Sequence, residues 1–147
     1  EPGAVPFAIS FDRQQHLVIA EAAGAVASFD LRENGTVEQL DSVPTGKVAT
    51  CWITRSGAYF FASSTGSASL ETFRSSASGE LLTLLGNAET DAGTVDASVA
   101  SGGGFIYAQA GIEGIVDEFA IGAGGELTKI GSVTVPGAVG GEGIVAG

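Results

Sequence analysis

The chain has one cysteine, one histidine, one tryptophan and no methionine in 147 residues, and six basic side chains stand against seventeen acidic ones. A lone Cys51 excludes an internal disulfide framework and any cysteine-built zinc site within these residues. His16 has no second histidine and no acid at ligand spacing beside it, which argues against a metal centre or a Ser-His-Asp site; no metal and no cofactor is expected. The formal charge of −11 is spread along the chain, and such a field repels phosphate backbones, so nucleic acid and anionic membranes are poor partners. No run reaches the ~18 apolar residues of a membrane-spanning helix. No Gly-x-Ser-x-Gly elbow occurs, and Gly102-Gly103-Gly104 and Gly122-Ala123-Gly124-Gly125 do not open helices, so phosphate-loop readings fail. The opening Glu1-Pro2-Gly3, with no methionine, reads as a processed, truncated or cleaved start.

What is present is one phrase stated three times: an apolar strand, a small-residue turn, a strand ending in Phe, a Gly-containing hairpin and a Leu- or Val-centred strand. Its first copy runs through Leu17-Val18-Ile19-Ala20, Val26-Ala27-Ser28-Phe29 and Asn34-Gly35-Thr36-Val37. The second runs through Tyr59-Phe60-Phe61-Ala62, Leu70-Glu71-Thr72-Phe73 and Ser78-Gly79-Glu80-Leu81, the third through Phe105-Ile106-Tyr107-Ala108, Val116-Asp117-Glu118-Phe119 and Gly124-Gly125-Glu126-Leu127. Phe29 and Phe73 stand 44 positions apart, Phe73 and Phe119 stand 46 apart, a period characteristic of four-stranded propeller blades. Glycine, at 23 residues, with 44% apolar and 16% charged residues, fits many short strands joined by tight turns.

The expected fold is therefore all-β: a β-propeller portion of about three four-stranded blades plus one extra inner strand. The repeats fall at about 6–46, 47–93 and 94–137, with a lone closing strand over 141–147. In each, strands are expected from the axis outward: Phe7 to Phe11, Leu17 to Ala20, Val26 to Leu31 and Thr36 to Ser42; then Cys51-Trp52-Ile53, Tyr59 to Ala62, Ala68 to Phe73 and Glu80 to Leu85; then Val95 to Val99, Phe105 to Ala108, Gly114 to Ile121 and Glu126 to Val133. Val43-Pro44-Thr45-Gly46, Gly86 to Gly93 and Val135-Pro136-Gly137 read as linkers. A propeller closes with 4 to 8 blades, so the ring is expected to be completed by a missing half or by a second copy of the chain. Asn34-Gly35 reads as a type I′ hairpin turn rather than a glycosylation acceptor. Cys51 reads as a buried, inert thiol, and Trp52, Phe29, Phe73 and Phe119 read as packing between sheets.

The order of Pro6-Phe7-Ala8-Ile9-Ser10-Phe11-Asp12, Leu17-Val18-Ile19-Ala20-Glu21-Ala22, Ala49-Thr50-Cys51-Trp52-Ile53-Thr54, Gly57-Ala58-Tyr59, Asp96-Ala97-Ser98 and Gly143-Ile144-Val145-Ala146 resembles the C-terminal half of bacterial lactonase-family proteins. These are seven-bladed propellers related to 6-phosphogluconolactonase and carboxymuconate-lactonizing enzymes. The resemblance implies a chain about twice this long and a lactone site in the axial funnel, served in active relatives by His, Arg and Glu. This sequence offers Val48-Ala49-Thr50 where an Arg-His pair is expected and Ser63-Ser64 in place of Asn-Glu.

In a propeller, the loops from second to third strand and from outer to next inner strand share one face. That places Glu21, Lys47, Asp96 and Glu142 around the axial opening. There a carboxylate, Glu21 or Asp96, serves as general base on water, with Lys47 stabilising the oxyanion and Glu142 contacting substrate. The competing reading is structural: Glu21 a solvated loop acid, Asp96 a cap on backbone amides, Lys47 a surface lysine, Glu142 a residue at a bend. Two functions follow. One is hydrolysis of a small sugar or organic lactone by the complete ring. The other is a non-catalytic secreted or periplasmic propeller that binds a protein or glycan.

Overall fold

The computed structural model describes residues 3–147; Glu1 and Pro2, part of the opening read above as processed, lie outside them. Twelve strands form three antiparallel sheets of four. Blade 1 holds β1 (Pro6–Phe11), β2 (Leu17–Glu21), β3 (Ala25–Leu31) and β4 (Val37–Pro44). Blade 2 holds β5 (Thr50–Ser56), β6 (Tyr59–Ser64), β7 (Ser69–Ser75) and β8 (Leu82–Glu89). Blade 3 holds β9 (Thr94–Val99), β10 (Phe105–Ala110), β11 (Ile115–Ile121) and β12 (Leu127–Thr134). In each sheet the strands lie side by side in chain order, and the first strands β1, β5 and β9 pack in sequence against one another. This is the propeller-blade arrangement expected from the repeat.

Strand alternation gives each blade two apolar faces, and blade 2 is sandwiched between blades 1 and 3. Phe60 and Phe73 stand directly opposite in the ladder and, with Ala62, pack against Val18 and Val26 of blade 1. Phe61 and Leu70 point the other way and meet Ile106, Ala108 and Phe119 of blade 3. The repeated Phe73 and Phe119 are fully buried, as core residues should be. Phe29, their counterpart in blade 1, is only half-buried, since the face it shares with Ile9 and Ile19 meets no further blade. On that face Ile9 is 60% exposed and Phe11 41%. Trp52 is half-buried with its ring edge-to-face on Phe7, centroids 5.5 Å apart. Cys51 is half-buried rather than buried, its Sγ 3.1 Å from the Ala49 carbonyl oxygen.

Two sequence expectations change. The Asn34-Gly35 turn is not type I′: only Gly35 has a positive φ, at 83°, and Asn34 does not. Instead Gly35 N–H donates to Arg32 O, and Asn34 Oδ1 accepts from the amide and hydroxyl of Thr36. The corresponding hairpins of blades 2 and 3 repeat this geometry at Gly79 (φ 79°) and Gly125 (φ 83°), so one glycine in the left-handed region is the shared requirement. The linker expected over Gly86 to Gly93 shortens to residues 90–93, because β8 stays in register with β7 through Ala88 opposite Leu70 and Glu89 opposite Ser69. Outer-edge strands tolerate the glycine that suggested a stop. Residues 141–147, expected as a closing strand whose partners lie outside this chain, form no ladder with any described strand. They run beside β9, where Ile144 N–H donates to Asp96 Oδ2 and Ala146 N–H to Ser98 Oγ, both at 3.0 Å.

Candidate functional site

Turns β2–β3, β6–β7 and β10–β11 share one face, here the upper face, with the links that enter β5 and β9. Hydrogen bonds lock these segments together. Thr45 N–H and Thr45 Oγ1 both donate to Gly24 O, and Lys47 N–H donates to Thr45 Oγ1. Gly24 has φ 101°, and a Cβ there would stand 2.9 Å from Lys47 O, so only glycine fits this close approach. In blade 2 the short 3₁₀ turn Thr65–Ser67 sits against the same link, with Thr65 N–H donating to Ala49 O and Gly66 N–H to Val48 O.

Each expected site residue can be placed on this frame. Glu21 ends β2, is 7% exposed, and its carbonyl accepts from Gly24 N–H, so it is a buried strand-end acid rather than a solvated loop acid. Lys47 stands half-buried on the adjoining link. Asp96 lies in β9, where Oδ1 accepts from Ala97 N–H at 2.7 Å and Oδ2 from Ile144 N–H at 3.0 Å. Glu142 is exposed and borders a hollow of about 350 Å³ whose floor includes Val95 and Ile112. Glu21 thus stands on the face of blade 1 that carries Ile9, Ile19 and Phe29, Lys47 on the link between blades 1 and 2, and Asp96 and Glu142 at blade 3, across β5 from β1.

Beneath the link that carries Lys47 lies a residue that the sequence alone did not single out. Glu71 of β7 is completely buried, two positions before Phe73, on the face turned toward blade 1. Ser64 Oγ and Ser69 Oγ each donate to its carboxylate at 2.5 Å. Ser64 Oγ is 2.9 Å from Thr50 Oγ1, and Thr50 Oγ1 is 3.2 Å from Thr45 Oγ1, so a hydroxyl chain joins Glu71 to the link that carries Lys47. Burial pushes the Glu71 carboxyl above the ordinary carboxylate range; the serine hydrogen bonds and the Lys47 charge only partly oppose it. The signal was available in the sequence: an acid at an inward position where the first copy has Ala27 and the third Asp117.

Blade 3 handles its acid differently. Lys129 Nζ reaches Asp117 Oδ1 at 2.7 Å and Asp91 Oδ2 at 3.0 Å, and Asp91 N–H donates to Asp117 Oδ2 at 2.7 Å. Asp91 is held below the ordinary carboxylate range by hydrogen bonding to Asp117 and then to Lys129, while burial keeps Asp117 above it. Both acids tie an inter-blade link to a blade.

On the lower face the structure corrects the reading of His16. An acid does stand beside it: Asp12, almost fully buried, with Oδ2 2.9 Å from His16 Nδ1 and Oδ1 accepting from the amides of Gln14 and His16. The spacing of four residues was legible, but only the hairpin brings the two together. Among the described residues no group of three or more His, Cys, Asp or Glu side chains could hold a metal ion, and no helix is long and apolar enough to cross a membrane.

Fold and rim together define three consecutive blades of a β-propeller. Solved structures carry the same arrangement. The periplasmic gluconolactonase of Pseudomonas aeruginosa matches 90% of this chain with 43% of its own, at 20% identity and TM-score 0.74. A putative 6-phosphogluconolactonase from Bacteroides fragilis matches 89% of this chain at 18% identity and TM-score 0.71, and the Cps50 (Swd1) β-propeller domain of Myceliophteria thermophila matches 89% at 14% and 0.70. The chain spans about two fifths of the length of the first solved structures it matches, 42%, 41% and 43%. No protein-family model matches the sequence. No curated protein matches it by sequence.

Proposed function

We propose that these blades form part of a lactonase-like propeller whose complete ring hydrolyses a small sugar or organic lactone. The observation that carries this reading is that the turn following Glu21 and the link bearing Lys47 are locked together on one face of the propeller by the Thr45–Gly24 hydrogen bonds. The likeness to a gluconolactonase and a putative 6-phosphogluconolactonase supports it. In the proposed reaction Glu21 takes a proton from water as the water oxygen bonds to the lactone carbonyl carbon. The carbonyl electrons move to oxygen, where Lys47 stabilises the charge. Collapse breaks the ring C–O bond, and the departing alkoxide recovers the proton from Glu21. Asp96 and Glu142 border the funnel from blade 3. The rest of the ring, from further chain or from a second copy, packs on the exposed face of β1.

A specific observation favours the second reading, a non-catalytic secreted or periplasmic propeller that binds a protein or glycan. Asp96 spends both oxygens on backbone amides, and the Val48-Ala49 carbonyls are taken up by the 3₁₀ turn where an Arg-His pair was expected. Acid release from a panel of aldonolactones by the complete ring separates the two. Turnover abolished by Glu21→Gln and weakened by Lys47→Met supports the hydrolase; no turnover by the unaltered ring, together with retention of a protein or glycan ligand, supports the binder.

A further inference from the structure

We infer that the lower face of these blades carries a binding site for a small oxyanion, built on Arg13 and Arg74. The chain is poor in basic groups, with six against seventeen acids. Two of the six border the same place. Arg13 comes from the β1–β2 turn of blade 1 and Arg74 from the lower end of β7 in blade 2. Two adjoining hollows, of about 230 and 420 Å³, share Arg13, Ala58 and Arg74 in their walls.

The surroundings leave both guanidinium groups available. Among the described residues neither forms an ion pair, whereas Arg32 is bound to Asp30 and Glu38, and Lys129 to Asp91 and Asp117. No Asp or Glu lines either hollow, although acids outnumber bases nearly threefold along the chain. The nearest acid in sequence, Asp12, is committed to His16 and to two backbone amides. The two arginines therefore border the same hollows, and among the described residues no acid is paired with either.

The walls are ordered by contacts between blades. Arg13 Nη2 lies 3.3 Å from the place a Cβ on Gly57 would occupy, so its guanidinium rests on the β5–β6 turn. Gln14 Nε2 donates to Ala77 O, fixing the β1–β2 turn of blade 1 to the β7–β8 hairpin of blade 2. Ser56 Oγ donates to Gly103 O and Tyr59 Oη to Ala123 O, which fix blade 3 to blade 2 on the other side. The site lies wholly within these blades, on the face opposite Glu21, and stands whether or not the ring hydrolyses lactones.

Guanidinium groups bind carboxylate and phosphate through parallel N–H···O bonds, so the occupant is a small molecule bearing one of these groups. Calorimetric titration of the full chain with inorganic phosphate, and separately with gluconate, tests this and distinguishes the two sources. Saturable one-site binding of either anion is expected, with at least a tenfold loss of affinity in Arg13→Gln and in Arg74→Gln. Arg32→Gln, which removes the same charge elsewhere, should bind as the unaltered chain does. Circular dichroism on every variant confirms that the blades remain folded. Absence of saturable binding by the unaltered chain, or equal weakening in Arg32→Gln, would overturn the site.

Discussion

Glu71 and Asp117 occupy the same position in consecutive blades, each two residues before the buried Phe of its strand, yet the first is held by two serine hydroxyls and the second by a lysine. Blade 1 places Ala27 there. The same buried position is thus filled three ways in three blades, and the two ionisable fillings, one at each inter-blade interface, respond differently to pH and to substitution.

Glu71 gives a pH dependence of definite sign. Burial raises its carboxyl above the ordinary value, so the folded protein holds the proton more tightly than the unfolded chain. Stability associated with this group is therefore greatest at acid pH and falls as pH rises above the ordinary glutamate range. Glu71→Gln should leave urea midpoints unchanged near pH ~4 and raise them near pH ~7, flattening the profile. Parallel profiles for the two proteins would show that Glu71 does not titrate in this way.

Lys129 is the counter-charge for a completely buried carboxylate. Lys129→Met retains the apolar stem and removes the charge, leaving Asp117 paired only with the Asp91 amide among the contacts described. A loss of roughly 2 kcal/mol is expected in denaturant unfolding, below the range for fully buried pairs because Lys129 is partly exposed. Asp117→Asn in the same background should recover part of it.

Phe73 is the central contact between blades 1 and 2, opposite Phe60 and against Val18 and Val26. Phe73→Ala should cost about 3–5 kcal/mol. Phe29→Ala, at the equivalent position on the open face, should cost measurably less in the chain alone. Equal losses would mean that the open face is packed in solution.

Asp96 holds the segment that follows blade 3. Asp96→Ala should accelerate amide exchange at Ile144 by about tenfold while Ala146, bonded to Ser98, changes less. Unaltered exchange at Ile144 would remove the anchoring role.

The repeat period and strand order were legible because strands packed on both faces write near-continuous apolar runs, Leu17 to Ala20, Tyr59 to Ala62 and Phe105 to Ala108, at a fixed distance before a recurring Phe. Strand ends were less legible. Gly86 looked like a stop, but on an outer strand the ladder continues through it, and Asn34-Gly35 suggested one turn type where the three hairpins share another. The site was half legible: rim acids could be listed from loop topology, whereas the Glu71 hydroxyl chain required Thr45, Thr50 and Ser64 to converge from two strands and a link. Asp12 and His16 are four residues apart, but a hairpin rather than a helix makes them neighbours. Arg13 and Arg74 are far apart in sequence and meet only because the lower turns of adjacent blades interlock.

The central claim is that the face of blade 1 carrying Ile9 and Phe11 of β1 and Phe29 of β3 is a blade-packing surface. Light scattering of the purified 147-residue chain across a concentration series tests it most directly. The account predicts association beyond 14.6 kDa that Ile9→Lys with Phe29→Lys abolishes while the remaining sheets stay folded. A monodisperse, stable 14.6 kDa species at every concentration, unaffected by these substitutions, would contradict it.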